Sequence, residues 1–203
     1  MQLARDPFNM VITGVGGQGN VMASRVLAGM LARKGFYVTI GETFGASQRG
    51  GSVMSHLRVS EASVWSPQIP RKRADVVLAL EPSEAIRVLK VYGNEQIKVL
   101  ANTRPVHPVG VIAGRLKYPS LEEIKKAVHE LSARAWFIDA TDEAMKLGNP
   151  IFGNIMMLGA LSKMHDLPLD REDFEHVILD TLPATKLGVN LKAFDLGASM
   201  LTI

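Results

Sequence analysis

Phe8-Asn9-Met10-Val11-Ile12-Thr13 is a short apolar run that leads into a glycine cluster. Behind it, Met22, Val26 and Met30 recur every four residues beside Leu27 and Leu31, so the chain opens as strand, glycine loop and amphipathic helix. Lys34-Gly35 supplies a basic last turn and a glycine stop, and Phe36 to Ile40 reads as a second strand rich in aromatic and β-branched residues. The stretch from Gly41 to Ser52 has no periodicity and predicts a loop, whereas Ser52 to Val59 alternates like a half-buried strand. Ala74 to Leu80 and Ile97 to Leu100 are continuous apolar runs of the kind buried in a parallel sheet, with a helix from Glu84 to Val91 between them.

The second half is more helical. Ser120-Leu121-Glu122-Glu123 has the spacing of a capping box, and the helix after it places Leu121, Ile124, Val128 and Leu131 on one face, with Glu122 one turn before Lys126 on the wet side. Ala135 to Asp139 predicts a last core strand. Thr141 is the expected cap of a short helix stopped near Gly148, Ile151 to Met164 reads as a strongly apolar helix, and Asp170 starts another with Phe174, Val177 and Ile178 inward. The expected fold is one α/β domain over residues 1–203: a three-layer arrangement of a parallel or mixed sheet with helices on both faces, a Rossmann-like glycine turn after the first strand, and a helical C-terminal portion. No internal repeat or low-complexity linker interrupts it.

Composition narrows the function. A chain of 203 residues with 47% hydrophobic and 21% charged residues is that of an ordinary globular protein. A net charge of +3, spread along the chain, does not demand nucleic acid. No apolar run is long enough for a bilayer, and the opening MQLARDPFNM lacks the basic-then-apolar order of a secretory signal, so the expectation is no membrane association and a cytoplasmic location. Cysteine is absent, which removes the thiolates that hold iron–sulfur clusters, so any redox centre is expected on a partner.

Two segments carry candidate chemistry. Gly14-Val15-Gly16-Gly17-Gln18-Gly19 satisfies GxGxxG between a strand and a helix, where backbone amides approach an anion. Glu42, just past the second strand, sits where a ribose-binding acid would stand, so a self-contained nicotinamide or flavin enzyme is one reading; a tight turn that only packs helix on sheet is another. The second segment is Glu42-Thr43-Phe44-Gly45-Ala46-Ser47-Gln48-Arg49-Gly50-Gly51-Ser52, whose density of Gly, Ser, Gln and Arg between two strands suits a contact with a ligand or a subunit better than a plain surface loop. His56 lies inside a strand, where a lone histidine is more often hydrogen-bonded than catalytic. His107, His129, His165 and His176 have no metal-ligand spacing, and no metal site is expected. Arg71-Lys72-Arg73 reads as a solvated loop, the methionines of the 151–164 helix as core or as a surface that adapts to a partner, and Trp65 and Trp136 as packing residues.

Taken together, these motifs resemble the small (gamma-type) subunit of 2-oxoacid:ferredoxin oxidoreductases. The opening glycine loop and the run from Glu42 through Ser52 into Val53-Met54-Ser55-His56-Leu57-Arg58 carry the likeness. Asn102-Thr103-Arg104-Pro105, Gly148-Asn149-Pro150, Asn154 with Met157 to Leu161, and Asn190-Leu191-Lys192-Ala193-Phe194 look like the indolepyruvate branch, and the likeness covers nearly the whole chain. The resemblance implies a complex that converts a 2-oxoacid and coenzyme A into an acyl-coenzyme A, carbon dioxide and reduced ferredoxin. It further implies that thiamine diphosphate, Mg and 4Fe-4S clusters sit on a larger partner subunit, and that this chain holds no cofactor alone and supplies no catalytic residue. In that setting Gly14, Gly16, Gly17, Gln18, Gly19, Glu42, Gln48, Arg49, Gly50, Gly51 and Ser52 form a ligand or subunit-interface loop. Arg49 would meet a carboxylate, a phosphate or an acidic partner residue, and the amides of Gly16, Gly17 and Gly50 would add donors, with subunit contact ranked above catalysis. Docking of Arg71-Lys72-Arg73 to acidic ferredoxin ranks below the solvated loop. A ligand-free assembly module, and a homodimer of the isolated chain, remain open alternatives.

Overall fold

The computed structural model describes residues 3–45 and 50–202. Six strands form one mixed sheet: β1 (Phe8–Val15), β2 (Tyr37–Phe44), β3 (Ser52–Ser60), β4 (Val76–Ala79), β5 (Lys98–Asn102) and β6 (Arg134–Ile138), in the order β2-β3-β1-β4-β5-β6. Strands β1, β4, β5 and β6 are parallel, while β3 runs antiparallel to both β1 and β2. Helices α1 (Asn20–Arg33), α2 (Pro82–Tyr92), α3 (Val109–Ile112), α4 (Leu121–Glu130), α5 (Ala140–Lys146), α6 (Gly153–Lys163), α7 (Arg171–Thr181) and α8 (Leu187–Met200) complete the described residues, with 3-10 turns at Pro150–Phe152 and Ala184–Lys186.

Period-two alternation sorts the sheet into two cores. Met10 and Ile12 of β1, Val76 and Leu78 of β4 and Leu100 of β5 face a large cluster built from α1, α5, α6, α7 and α8. Val11, Val77, Ala79, Val99 and Ala101 face the opposite way, onto Ala85, Val88 and Leu89 of α2 and Ile124 and Val128 of α4. Both faces are therefore covered, which is why the parallel strands read as unbroken apolar runs.

On the first face α6 and α8 cross at glycine. A β-carbon on Gly159 would lie 2.0 Å from the Phe194 carbonyl oxygen, and one on Gly197 would lie 1.9 Å from that of Met156. The two backbones meet where side chains would hold them apart.

Four expectations change. The segment from Gly41 to Phe44 is strand, because pairing with His56 back to Val53 on β3 extends β2 beyond its own weak periodicity. The short fifth helix is capped by Asp139, whose side chain accepts from the Asp142 amide, while the Thr141 hydroxyl is taken by Asn102. Leu131 falls at the C-cap of α4 and is exposed, so only Ile124 and Val128 of that face are fully buried. The apolar helix expected from Ile151 begins as a 3-10 turn and becomes α-helical at Gly153, since Asn149 and Pro150 set a separate start. The Ser120 capping box and the inward Phe174, Val177 and Ile178 are as expected.

Candidate functional site

In an open α/β sheet the natural ligand crevice lies at the carboxyl ends of two adjacent parallel strands whose following helices pack on opposite faces. Here that point is between β1, followed by α1 on the first face, and β4, followed by α2 on the second. The glycine loop stands at its mouth.

The crevice is bridged by the chain itself. The ladder between β1 and β4 continues through the Leu80 amide, which donates to the Thr13 carbonyl at 2.7 Å. The next rung is a side chain: the Val15 amide donates to Gln18 Oε1 at 2.7 Å, and Gln18 Nε2 donates to the Leu80 carbonyl at 2.9 Å. Gly14 makes room for this, because a β-carbon there would lie 2.7 Å from Gln18 Oε1. Gly19 caps α1 with φ +85, a left-handed conformation, and a β-carbon on it would lie 2.1 Å from Asn154 Nδ2, which donates to the Gly19 carbonyl at 3.2 Å. Gly16 pairs with the other glycine segment: its amide donates to the Gly51 carbonyl at 2.8 Å and its carbonyl accepts from the Gly50 amide at 3.1 Å.

These contacts give Gly14, Gly16 and Gly19 an internal reason, while Gly17 is fixed by its positive φ of +112 alone. The amides of Gly16 and Gly50 are committed to each other's segment, and the bridge stands where a pyrophosphate would enter. Glu42 is exposed on β2 opposite Ser55, and β3 separates its strand from β1, so the acid is two strands away from the glycine loop. In a dinucleotide fold the second strand lies next to the first. Of the predicted site residues, the structure brings together Gly14, Gly16, Gly17, Gln18, Gly19, Gly50, Gly51 and Ser52, and leaves Glu42 apart; Gln48 and Arg49 lie outside the described residues.

The bridge divides the crevice into two cavities. The first, about 360 Å³, is lined by Gln18, Leu80, Asn102, Thr141, Asn154 and Met157 among others. Its polar centre is Asn102, buried, whose Nδ2 donates to the Leu80 carbonyl at 3.0 Å and to Thr141 Oγ1 at 2.8 Å, and whose Oδ1 accepts from the Ala140 and Thr141 amides. One asparagine thus ties the ends of β4 and β5 to the start of α5.

The second cavity, about 520 Å³, lies between the 50–52 segment and residues 106–119. Two buried carboxylates at the start of α2 fasten its walls. Glu81 caps α2: its Oε2 accepts from the Glu84 amide at 3.0 Å and from Ser83 Oγ at 2.7 Å, and its Oε1 accepts from the Val106 amide and the Tyr118 hydroxyl. Burial, then the Glu81 carboxylate beside it, pushes the Tyr118 hydroxyl far above its ordinary range, so it stays protonated as a donor. Glu84 accepts from Ser52 Oγ at 2.5 Å and meets Arg87 Nε at 3.2 Å. Sequence reasoning passed over Glu81, Glu84, Asn102 as a tie point, and Tyr118. The signal for the first two was Glu81-Pro82-Ser83-Glu84 directly after an apolar strand, a helix start with proline at N1.

The remaining candidates take no part in the hydrogen bonds of this crevice. His56 Nδ1 accepts from the Ile69 amide at 3.1 Å, its ring packs edge-on to Tyr92, and burial lowers its pKa, so it is neutral. Arg58 is buried, donates to Asn9 Oδ1 and the Ser66 carbonyl, and lies under Trp65. Arg71, Lys72 and Arg73 are exposed at the amino end of β4, the far edge from the glycine loop. Met156 and Met157 are core. Among the described residues no group of three His, Cys, Asp or Glu side chains is gathered as metal ligands, and no helix is long and apolar enough to cross a membrane.

Comparison with known proteins agrees with this geometry. The family model described as pyruvate ferredoxin/flavodoxin oxidoreductase matches residues 9–200. The chain is 40% identical to indolepyruvate oxidoreductase subunit IorB of Thermococcus kodakarensis over 191 residues, 94% of both chains. It is 41% identical to the subunit of the same name from Pyrococcus horikoshii, again over 94% of both. Among solved structures, pyruvate oxidoreductase subunit PORC from Thermotoga maritima shares the fold with a TM-score of 0.73 at 22% identity, over 98% of each chain. The 2-oxoglutarate:ferredoxin oxidoreductase from Magnetococcus marinus matches 98% of this chain with 32% of its own, also at a TM-score of 0.73.

Proposed function

The chain belongs to the pyruvate ferredoxin/flavodoxin oxidoreductase family, and from that premise we propose that it serves as the small subunit of an indolepyruvate:ferredoxin oxidoreductase. The complex would take indolepyruvate or a related aryl pyruvate with coenzyme A and oxidised ferredoxin, and release an acyl-coenzyme A, carbon dioxide and reduced ferredoxin. The observation that carries the substrate is the identity of 40% and 41% to indolepyruvate oxidoreductase subunits across nearly the full length of both chains.

Thiamine diphosphate with its Mg, and the 4Fe-4S clusters, would belong to the larger subunit and supply the carbanion and single-electron chemistry. A sequence without cysteine has no thiolate to offer a cluster. In this reading the residues of this chain build a wall for the partner: Gln18 and Asn102 lock the strand ends, and the pairing of Gly16 with Gly50 and Gly51 holds the two glycine segments together. The location is cytoplasmic with the rest of the complex.

The test is anaerobic purification of the chain from its native extract, followed by an assay of coenzyme-A-dependent ferredoxin reduction with indolepyruvate, pyruvate and 2-oxoglutarate. A thiamine- and cluster-bearing partner with preference for indolepyruvate is expected. Preference for pyruvate or 2-oxoglutarate would overturn the substrate, and a lone chain holding a dinucleotide would overturn the whole reading.

A further inference from the structure

The segment between β5 and α4 is unusual for a soluble chain. Val109 is 80% exposed, Ile112 75% and Leu116 63%, and α3, the short helix this segment contains, has no buried residue. Three large apolar side chains on one short excursion are a patch, not scattered surface residues, and such patches mark contact sites.

The excursion is also held firmly. Val106 and Tyr118, at its two ends, both donate to the Glu81 carboxylate, and the facing wall of the cavity is held through Ser52 on Glu84. An exposed apolar surface anchored to buried carboxylates is pre-organised, so binding it requires little ordering. The rim is basic: Arg115 and Lys117 are exposed beside Leu116, while Arg87, across the cavity, is paired with Glu84. The acids that hold the cavity walls, Glu81 and Glu84, are buried and hydrogen-bonded within the chain.

We propose that the 106–117 excursion and the cavity beneath it seat the larger subunit of the complex, which contributes an apolar segment flanked by acidic side chains. Charge complementarity selects that occupant: an apolar centre within a basic rim fits an apolar segment with acidic neighbours and disfavours another copy of this basic face. The inference rests on the reading of the chain as one subunit of a complex, and adds to the glycine segment the 106–117 surface that faces it across the cavity.

Val109→Asp with Ile112→Asp puts charge on exposed positions and leaves the buried contacts of Tyr118 and Val106 in place. The double variant should keep the circular dichroism and melting behaviour of the isolated chain, yet bind the larger subunit roughly 30-fold or more weakly in sedimentation or titration calorimetry. Arg115→Glu with Lys117→Glu should also weaken binding, more at low salt than at high. Val64→Asp, on an exposed loop at the opposite edge of the sheet, should bind as wild type. Wild-type affinity in the Val109/Ile112 variant, while the unaltered pair assembles, would overturn the surface and leave the proposed function standing. Failure of the unaltered chain to assemble with any larger subunit would overturn the function itself. Loss of self-association alone in the variant would name a second copy as occupant and overturn this one.

Discussion

Replacing Gly197 by alanine is the sharpest probe of the fold. Its new β-carbon would stand 1.9 Å from the Met156 carbonyl oxygen and 2.5 Å from that residue's carbonyl carbon and α-carbon, all backbone atoms that no rotamer change can move. Restoring ordinary contact requires α6 and α8 to part by about 1.5 Å, and overpacking of this kind costs about 1–3 kcal/mol, occasionally more. Alanine returns up to about 1 kcal/mol of helix propensity, so at the upper end of that cost, which an obstacle made of backbone implies, the net loss should be about 2 kcal/mol. For a chain of this size that lowers Tm by roughly 4–8 °C. Gly188→Ala supplies the control within the same helix, since nothing lies within 4 Å of the added carbon. It should leave Tm unchanged or raise it by about 1–3 °C. Differential scanning calorimetry on the two variants decides the matter: if Gly197→Ala melts with or above Gly188→Ala, the close crossing of α6 and α8 is wrong.

Other consequences follow from single contacts. Gln18→Ala removes the acceptor of the Val15 amide and one of the two donors to the Leu80 carbonyl, and should cost about 1–3 kcal/mol in urea unfolding; an unchanged midpoint would argue against the bridge. His56 has its pKa lowered by burial, so the unfolded chain binds the extra proton; its contribution is present above the ordinary histidine value of about 6.5 and is lost as pH falls below it. Stability measured from pH 8 to pH 5 should decline, and less steeply in His56→Gln; identical slopes would refute the assignment. Ser120→Ala opens the capping box of α4 and should lower stability by about 1 kcal/mol, seen as a Tm drop of roughly 2–4 °C; no change would show that Glu123 alone suffices.

Local signals were legible in the sequence and pairings were not. The opening strand, glycine loop and helix, the buried runs of β4 and β5, and the Ser120 box each carry their information within a few residues. The insertion of β3 between β1 and β2 is a decision of the hairpin as a whole, and it both lengthens β2 to Phe44 and moves Glu42 away from the glycine loop. Thr141 and Asp139 are equally good caps in isolation; the choice falls to Asp139 because Asn102, thirty-nine positions earlier, takes the Thr141 hydroxyl. In the candidate site, the two glycine segments were visible as composition, but their pairing through Gly16, Gly50 and Gly51 is long-range. The exposed Val109, Ile112 and Leu116 were silent, since apolar letters in sequence read as core until a structure shows them outside.

The Gln18 bridge gives the glycine turn a shape that depends on no small molecule. A turn completed by phosphate would be loose until loaded. Here the rung between Val15 and Leu80 is closed by a side chain three residues from the strand end, as soon as β1 and β4 pair. The folded chain therefore carries this turn already set: its shape follows from the pairing of β1 and β4 and the Gln18 side chain, with no small molecule needed to close the rung.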